Sequence, residues 1–277
     1  MRIECELLGT GTSYGVPTIG CHCRVCVSTD PRNKRMRSSV LLTVTPDDGV
    51  ARRILVDVTP DIRTQALRAN VHHLDGVILT HAHADHCHGL DDLRAFYWRN
   101  KRQPIPLYAY PECMAAVQRR FDYIFDLEYS YKGVVRFAPE IFETSPFNIN
   151  GIQIVPVPLV HGPMRVAAVR VGDFAYITDT NHVPPSSIQM LRGVRLVVLD
   201  ALRRTPHPTH LSLPESLAIC EELGVKRVFF THINHDMDHD EVSKDLPGYA
   251  ALGYDTLRIA IDHNTITILG DRLGERP

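Results

Sequence analysis

His81-Ala82-His83-Ala84-Asp85-His86 is the stretch of sequence that says most about the fold and chemistry of this chain. It comes directly after Val77-Ile78-Leu79-Thr80, a short apolar run typical of a buried strand. Alternation along an extended backbone places the first two histidines on one side, so both imidazoles can face one ion. The chain is then expected to turn into a helix, from which the aspartate and the last histidine can face a second ion. A histidine-rich surface loop is the alternative, but the preceding strand and the aspartate favour a metal site.

Five other short apolar runs also end directly in a histidine or an aspartate: Asp57, His161, Asp179, Asp200 and His232. Because α/β proteins carry functional side chains at strand ends and in the loops beyond them, these six endings predict convergence on one site. His161 can complete the first metal position and His232 the second. Asp179 can bridge two ions that lie about 3.5–4 Å apart. Asp57 and Asp200 either orient the ligand imidazoles or are ordinary turn residues.

Four segments show the apolar spacing that is typical of helices: 62–69, 88–98, 113–125 and 214–223. Gly224 follows the last of them and is predicted to be its C-cap. The sequence shows no internal repeat, low-complexity tract or linker. It therefore predicts a single domain over residues 1–277.

Three of the seven cysteines stand within six positions, in the pattern Cys21-x-Cys23-x-x-Cys26. This spacing is too tight for disulfide bonds among the three, whereas three thiolates can fill three corners of a tetrahedral zinc site. The fourth ligand must be His22 or a distant residue, and we favour His235, three positions after His232. Three free cysteines beside a solvated histidine are the alternative. The other four cysteines are expected to be isolated core or helix residues.

The composition is that of an ordinary globular protein, with 44% hydrophobic and 22% charged residues. The formal net charge of −2 argues against nucleic acid as a partner, because such binding needs many cationic contacts to phosphates. Residues 1–5 lead into a strand-like run without a signal-peptide core, and no apolar run approaches the roughly 20 residues of a membrane span. We therefore expect a cytoplasmic protein without a membrane partner, and a homodimer stays open.

The order and spacing of the motif and the strand-end residues resemble those of the metallo-β-lactamase superfamily, from Leu7-Leu8-Gly9-Thr10-Gly11-Thr12 to the last strands. The resemblance implies a mixed α/β fold, a four-layer αββα sandwich with two metal ions in a cleft at one edge. It implies a dinuclear ligand set of His81, His83, Asp85, His86, His161, Asp179 and His232. Imidazole and carboxylate ligands suit zinc, manganese and iron alike, so the metal stays open.

The segment from Gly9 to Pro17, together with the cysteine cluster, is similar to the PhnP-type phosphodiesterases, which open phosphoribosyl 1,2-cyclic phosphate. This similarity implies a structural zinc loop at about 15–38, with the zinc held by Cys21, Cys23, Cys26 and His235. It is weaker over an expected aromatic-rich insertion at about 99–150. That insertion carries Phe121, Tyr123, Phe125, Tyr129 and Tyr131.

The function expected from this resemblance is metal-dependent hydrolysis of a small, anionic and cyclic phosphodiester. A hydroxide held between the two ions would attack phosphorus, and Asp85 would both bind metal and orient that hydroxide. His210 is the candidate general acid, supported by the resemblance, although it can instead cap the helix that starts near Pro214. The basic run from Asp30 to Arg37 either binds a substrate phosphate or is a solvated loop.

Three other functions fit the same residues. A nuclease of the tRNase Z type is one, although the sequence shows no separate arm for gripping RNA. A thioesterase or lactonase with the same metal site is another. The third is a non-catalytic metal-binding protein like PqqB, but a complete set of seven candidate ligands favours catalysis.

Overall fold

The structure, a computed structural model, describes residues 1–126, 128, 131, 133–263 and 265–273. Its strands are β1 (Arg2–Gly9), β2 (Ser39–Thr45), β3 (Arg52–Val56), β4 (Gly76–Ile78), β5 (Ile105–Ala109), β6 (Phe137–Ile141), β7 (Phe147–Ile149), β8 (Ile152–His161), β9 (Met164–Val171), β10 (Phe174–Ile177), β11 (Leu196–Asp200), β12 (Arg227–Thr231), β13 (Ala250–Leu252), β14 (Arg258–Asp262) and β15 (Thr265–Gly270). Its helices are α1 (Ile62–Arg68), α2 (Ala84–Cys87), α3 (Arg94–Arg99), α4 (Pro111–Arg120), α5 (Asp122–Phe125), α6 (Pro185–Leu191), α7 (Leu213–Leu223) and α8 (His239–Ser243), with 3₁₀ turns at Pro31–Asn33 and Leu90–Leu93.

The strands of the described residues form two sheets. One has eight strands in the order β15-β14-β1-β2-β3-β4-β5-β6, and the other has seven in the order β13-β12-β11-β10-β9-β8-β7. Strands β3 to β6 run parallel to one another, and so do β10 to β13. Two mixed sheets packed with helices confirm the predicted αββα sandwich.

Two hydrophobic cores follow from the alternation of side chains along the strands of the second sheet. In β10, Phe174 and Tyr176 belong to the core shared with the first sheet, whereas Ala175 and Ile177 belong to a second core. That second core also contains Leu213 and other residues of the helical side. Both faces of the strand are therefore buried, which explains its near-continuous apolar sequence.

The helix predictions hold for two segments and fail for two. Helix α1 matches 62–69, and α7 matches 214–223 with Gly224 as its left-handed C-cap. The segment 88–98 is wrong as one helix, because a 3₁₀ turn buries both Leu90 and Leu93 on one face before α3 begins. The segment 113–125 is also divided, since the backbone at Phe121 leaves the helical region between α4 and α5.

The stretch 99–150, expected as an aromatic-rich insertion, supplies β5 and β6 to the first sheet and β7 to the second. Much of it therefore belongs to the two sheets. Tyr129 lies outside the described residues.

None of the described helices combines the length and the apolar character needed to cross a membrane.

Candidate metal centre

Parallel strands deliver the site residues to a single edge of the two sheets. Asp57 and His81 follow the neighbouring strands β3 and β4 of the first sheet. Asp179, Asp200 and His232 stand at the ends of β10, β11 and β12, which are neighbours in the second sheet. Because parallel neighbours end on the same side, each sheet presents its chemistry at one edge. The strand-end pattern in the sequence therefore corresponds to one place in the fold.

Three of these residues have a left-handed backbone. The φ angle is 66° at Asp57, 52° at Asp179 and 58° at His232. This region is uncommon for residues other than glycine and costs about 1–2 kcal/mol each. Such strain persists only where surrounding contacts hold it, and it is concentrated at functional sites. Here it turns three side chains from the strand ends toward one another.

The candidate ligands form two adjacent groups. The ligand atoms of His81, His83 and His161 lie within 4.8 Å of one another, and those of Asp85, His86, Asp179 and His232 form a second group by the same measure. Asp179 lies between the groups, since Oδ2 is 3.1 Å from Nε2 of His86, Oδ1 is 3.3 Å from Nε2 of His232, and its carboxylate also groups with His161. The structure thus brings all seven predicted ligands together in the arrangement proposed from the sequence.

Hydrogen bonds fix the imidazoles with Nε2 pointing inward. Nδ1 of His86 donates to Oδ2 of Asp57 at 2.7 Å, and Nδ1 of His161 donates to the carbonyl of Thr209 at 2.6 Å. Nδ1 of His81 lies 3.0 Å from Oγ1 of Thr80, which itself donates to Asp57. Anchoring one ring nitrogen in this way presents the other as a metal ligand.

The inward nitrogens fit bound cations. Among the described residues, Nε2 of His81, His86 and His232 are buried and form no well-aligned hydrogen bond, although those of His86 and His232 lie 3.1 and 3.3 Å from the carboxylate of Asp179. A buried nitrogen without a partner is unfavourable by about 1–3 kcal/mol, whereas a divalent ion would satisfy several at once. Their combination with two carboxylates is the donor set that zinc, manganese and iron accept.

Electrostatics in the site favour ionised carboxylates. Burial by itself would raise the pKa of Asp179, but His232 and His86 hold that pKa well below its usual value. Burial and the neighbouring His86 lower the pKa of His81 well below its usual value. Burial would also lower the pKa of His86, yet Asp179, Asp85 and Asp57 together raise it well above its usual value. The negative charge of these acids is what a pair of cations would neutralise.

Asp57 and Asp200 each hold a different histidine of the site in position. Asp57 is buried and orients His86, as one of the two sequence interpretations proposed. Asp200 holds His210 instead, with its Oδ2 at 3.1 Å from Nδ1, whereas its nearest oxygen is 3.8 Å from Nδ1 of His232. Turn geometry alone explains neither aspartate.

Replacing Asp57 with Asn is expected to weaken binding of the second metal ion by about 10–100-fold, the usual effect of losing a partner of a metal-bound histidine. The amide keeps the shape but loses the charge that polarises His86. Titration of the metal-free protein with Mn²⁺ measures the change. Asp61→Asn is the control, because Asp61 lies in the same connection and binds Arg37 instead. Equal affinities for wild type and Asp57→Asn would refute the role.

His210 lies in the centre and caps no helix. Its ring stacks on His232 with centroids 4.6 Å apart and meets the ring of His161 at 4.7 Å. Helix α7 is capped by Ser212, whose side chain forms a reciprocal capping box with Glu215. The capping interpretation of His210 is therefore wrong, and Ser212 is committed to the helix start.

The three clustered cysteines lie around the imidazole of His235. Its Nδ1 lies 3.2 Å from Sγ of Cys21, 3.6 Å from Cys23 and 3.4 Å from Cys26. Tetrahedral zinc with ordinary bond lengths would separate sulfur and nitrogen by about 3.6 Å, so the four residues fit a structural zinc. His22 is exposed and stands outside this group. Cys5, Cys87, Cys113 and Cys220 are buried, as expected of core residues.

The cations of the basic run from Asp30 to Arg37 are bound to other parts of the chain. Arg35 is buried and donates to Thr10 and to the carbonyl of Gly253. The other cations of the run also have partners. Arg32 forms ion pairs with Asp30 and Asp240, Lys34 donates to the carbonyl of Cys26, and Arg37 forms an ion pair with Asp61. The solvated-loop interpretation is therefore wrong, because the run is bound to residues as distant in sequence as Asp240 and Gly253.

Sequence reasoning missed two contributors to the centre. Thr80 holds Asp57 and His81 together through its hydroxyl, and its place directly before the motif was the available signal. Arg120, on α4, donates to the carbonyl of Ala82 within the motif. No local pattern announces that contact, since 38 positions separate the two residues.

The model of the Beta-lactamase superfamily domain matches residues 52–233, so the chain belongs to the beta-lactamase superfamily. It is similar to a solved diphosphatase from the PhnP family, with 38% identity, a TM-score of 0.87, and coverage of 97% of this chain and 99% of that one. Among curated proteins it is similar to coenzyme PQQ synthesis protein B of Methylobacterium nodulans, with 31% identity over 84% of this chain and 90% of the relative. It is also 35% identical over 96% of its length to the octanoyltransferase of Porphyromonas gingivalis, but spans only 53% of that protein. Fold, relatives and ligand clusters together support a metal-dependent hydrolase.

Proposed function

We propose that this protein is a metal-dependent phosphodiesterase acting on a small, cyclic phosphodiester. The observation that carries the proposal is the position of Asp179 between two complete ligand groups. In such a site two cations stabilise the attacking and leaving oxygens of an in-line displacement at phosphorus. The similarity to a PhnP-family diphosphatase favours phosphorus over carbon as the centre attacked.

The residues of the chain have distinct roles in this proposal. His81, His83 and His161 would hold one ion, Asp85, His86 and His232 would hold the other, and Asp179 would contribute to both sites. When bound, the ions supply Lewis acidity and lower the pKa of coordinated water toward about 7. Asp85 would stay ionised and could accept a hydrogen bond from that water, because His86 and His232 hold its pKa below the usual range despite burial.

His210 is proposed to protonate the leaving oxygen. Asp200 accepts from its Nδ1, so Nε2 is left for a substrate atom. The side chain is 11% exposed, enough to be reached from the cleft while its ring remains packed on His232. An alkoxide leaving group needs this proton far more than a nitrophenolate does.

The variant His210→Ala is therefore expected to lose about 10²–10⁴-fold in kcat on alkyl diesters and under tenfold on bis-p-nitrophenyl phosphate. The comparison of kcat for the two substrates measures the effect, with His207→Ala as a control for a neighbouring imidazole. His207 lies 5.2 Å from His210 by ring centroids. Equal losses on both substrates would remove the acid role.

A phosphoanhydride is the second candidate substrate, because the similar PhnP-family structure is that of a diphosphatase. The two candidates share the metal chemistry and differ in the leaving group, which is an alkoxide in one case and a phosphate in the other. A panel with Mn²⁺ and Zn²⁺ separates them: cyclic phosphates, linear diesters, a dinucleoside diphosphate, RNA, thioesters and lactones. Fastest turnover of a cyclic phosphate supports the proposal, and fastest turnover of a thioester or lactone overturns it.

Acyl transfer, suggested by the octanoyltransferase, has less support. This chain matches about half of that protein. Of the described cysteines, three form the zinc-type cluster and the other four are buried, so none is placed as an accessible nucleophile at the metal centre. We also propose that nucleic acid is not a partner, since the densest basic run is engaged in internal contacts.

A further inference from the structure

Two adjacent serines at the junction of the sheets make an unusual set of contacts. Ser39 is the first residue of β2 and Ser38 directly precedes it, and the two are 0% and 1% exposed. Because neighbouring residues of an extended chain point to opposite sides, the two hydroxyls address different parts of the molecule. Neither belongs to the ligand groups described above.

The hydroxyl of Ser38 holds the chain at Thr231 and at the backbone N–H of His232. It accepts from the backbone N–H of His232 at 3.1 Å and lies 3.2 Å from the hydroxyl of Thr231. It also donates to the carbonyl of Gly11 at 3.0 Å. One donor and two acceptor positions are thus all in use, which is the full capacity of a serine hydroxyl.

The hydroxyl of Ser39 holds the end of β3 in the same way. Its single O–H is shared between the carbonyl oxygens of Val56 at 3.0 Å and of Asp57 at 2.9 Å. Asp57 in turn orients His86 through its carboxylate at 2.7 Å. The second serine therefore acts on a ligand imidazole through one intermediate residue.

Both residues that the serines hold have left-handed backbones, with φ of 66° at Asp57 and 58° at His232. Such conformations need neighbouring contacts to maintain them. We propose that Ser38 and Ser39 are positioning residues for the second metal ion, which aim His232 from one sheet and His86 from the other. This inference rests on the proposed dinuclear function. The two serines form no hydrogen bond directly with His81, His83 or His161, and Ser39 reaches His81 only through Asp57 and Thr80.

The predicted effect is selective loss of one ion. In Ser38→Ala and in Ser39→Ala, Mn²⁺ is expected to bind the group of His81, His83 and His161 as in wild type. The Mn²⁺ ion at the group of Asp85, His86 and His232 is expected to bind about 10–100-fold more weakly. Calorimetric titration with Mn²⁺ measures both steps in protein whose dinuclear site has been emptied while the cysteine cluster keeps its zinc. Electron paramagnetic resonance then distinguishes a spin-coupled Mn²⁺ pair from an isolated ion. A general loss of stability would not change this signal.

Ser187→Ala is the matched control. Ser187 is fully buried and donates to the backbone carbonyl of Pro158, so its removal costs a comparable buried hydrogen bond away from the ligands. It should keep the coupled Mn²⁺ pair. Ser39→Ala tests the proposal alone if Ser38→Ala does not fold.

Two coupled ions at wild-type affinity in a folded Ser39→Ala or Ser38→Ala protein would overturn the positioning role and leave the dinuclear function standing. Loss of the second ion in Ser187→Ala as well would overturn it too, by showing a general effect of stability. A wild-type protein that binds no pair would instead refute the function on which the inference rests.

Discussion

Replacing Asp179 with Asn is expected to lower kcat for phosphodiester hydrolysis by about 10³-fold or more. Several kcal/mol of transition-state stabilisation would depend on having both metal ions bound. Asp179 is 2% exposed, and its two oxygens approach Nε2 of His86 and of His232 at 3.1 and 3.3 Å. No other carboxylate in the described chain lies between both ligand groups. Loss of its charge removes the bridge while the histidines stay in place.

The Asn substitution suits this position because asparagine tolerates a left-handed backbone and has nearly the same shape. The fold should therefore persist, which a thermal melt verifies. Asp173→Asn is the control, since Asp173 lies at the opposite end of β10 with a 48% exposed side chain. Wild-type kcat in Asp179→Asn, with both ions still bound, would contradict the bridging role.

Replacing Cys26 with Ser should release the structural zinc and lower the melting temperature by about 10 °C. Loss of a structural zinc removes several kcal/mol, and each kcal/mol shifts Tm by about 2–4 °C in a protein approaching this size. Cys26 is 4% exposed and packs with Val16 and Val25 in a small cluster of its own. Within residues 15–38, all of which the structure describes, the 3₁₀ turn Pro31–Asn33 is the only helix, so a bound zinc would take the place of a larger core.

Cys220→Ser is the matched control for this variant, because Cys220 is 1% exposed and lies on α7 away from the cluster. It should retain all its zinc, with a smaller loss of stability from a buried hydroxyl. A Cys26→Ser protein with unchanged Tm and the wild-type zinc content would refute the structural site.

The sequence predicted those parts of the centre that depend on local periodicity. The two-residue alternation of His81 and His83 and the helical turn that carries His86 are local features, and the structure has both. The zinc-type cluster combines a local pattern with one distant histidine. His235 could be predicted as the fourth ligand because it follows His232 by three positions.

Other features depend on pairings that no local pattern reveals. The basic run looked free in sequence, but Arg32 pairs with Asp240 and Arg35 reaches Gly253. The interruption of the predicted helix after His88 follows from a close approach: a Cβ at Gly89 would lie 2.0 Å from the carbonyl oxygen of Thr59. The contacts of Ser38 with Thr231 and His232 likewise appear only when both sheets are assembled. The cytoplasmic location and the single domain stay predictions.

The most direct measurement of the central claim is anomalous diffraction from crystals of the protein loaded with Mn²⁺ or Zn²⁺. We predict two peaks about 3.5–4 Å apart, with Asp179 between them and the three histidines His81, His83 and His161 around one peak. The other peak should lie among Asp85, His86 and His232. A single peak, or peaks that these seven side chains do not contact, would contradict the dinuclear centre.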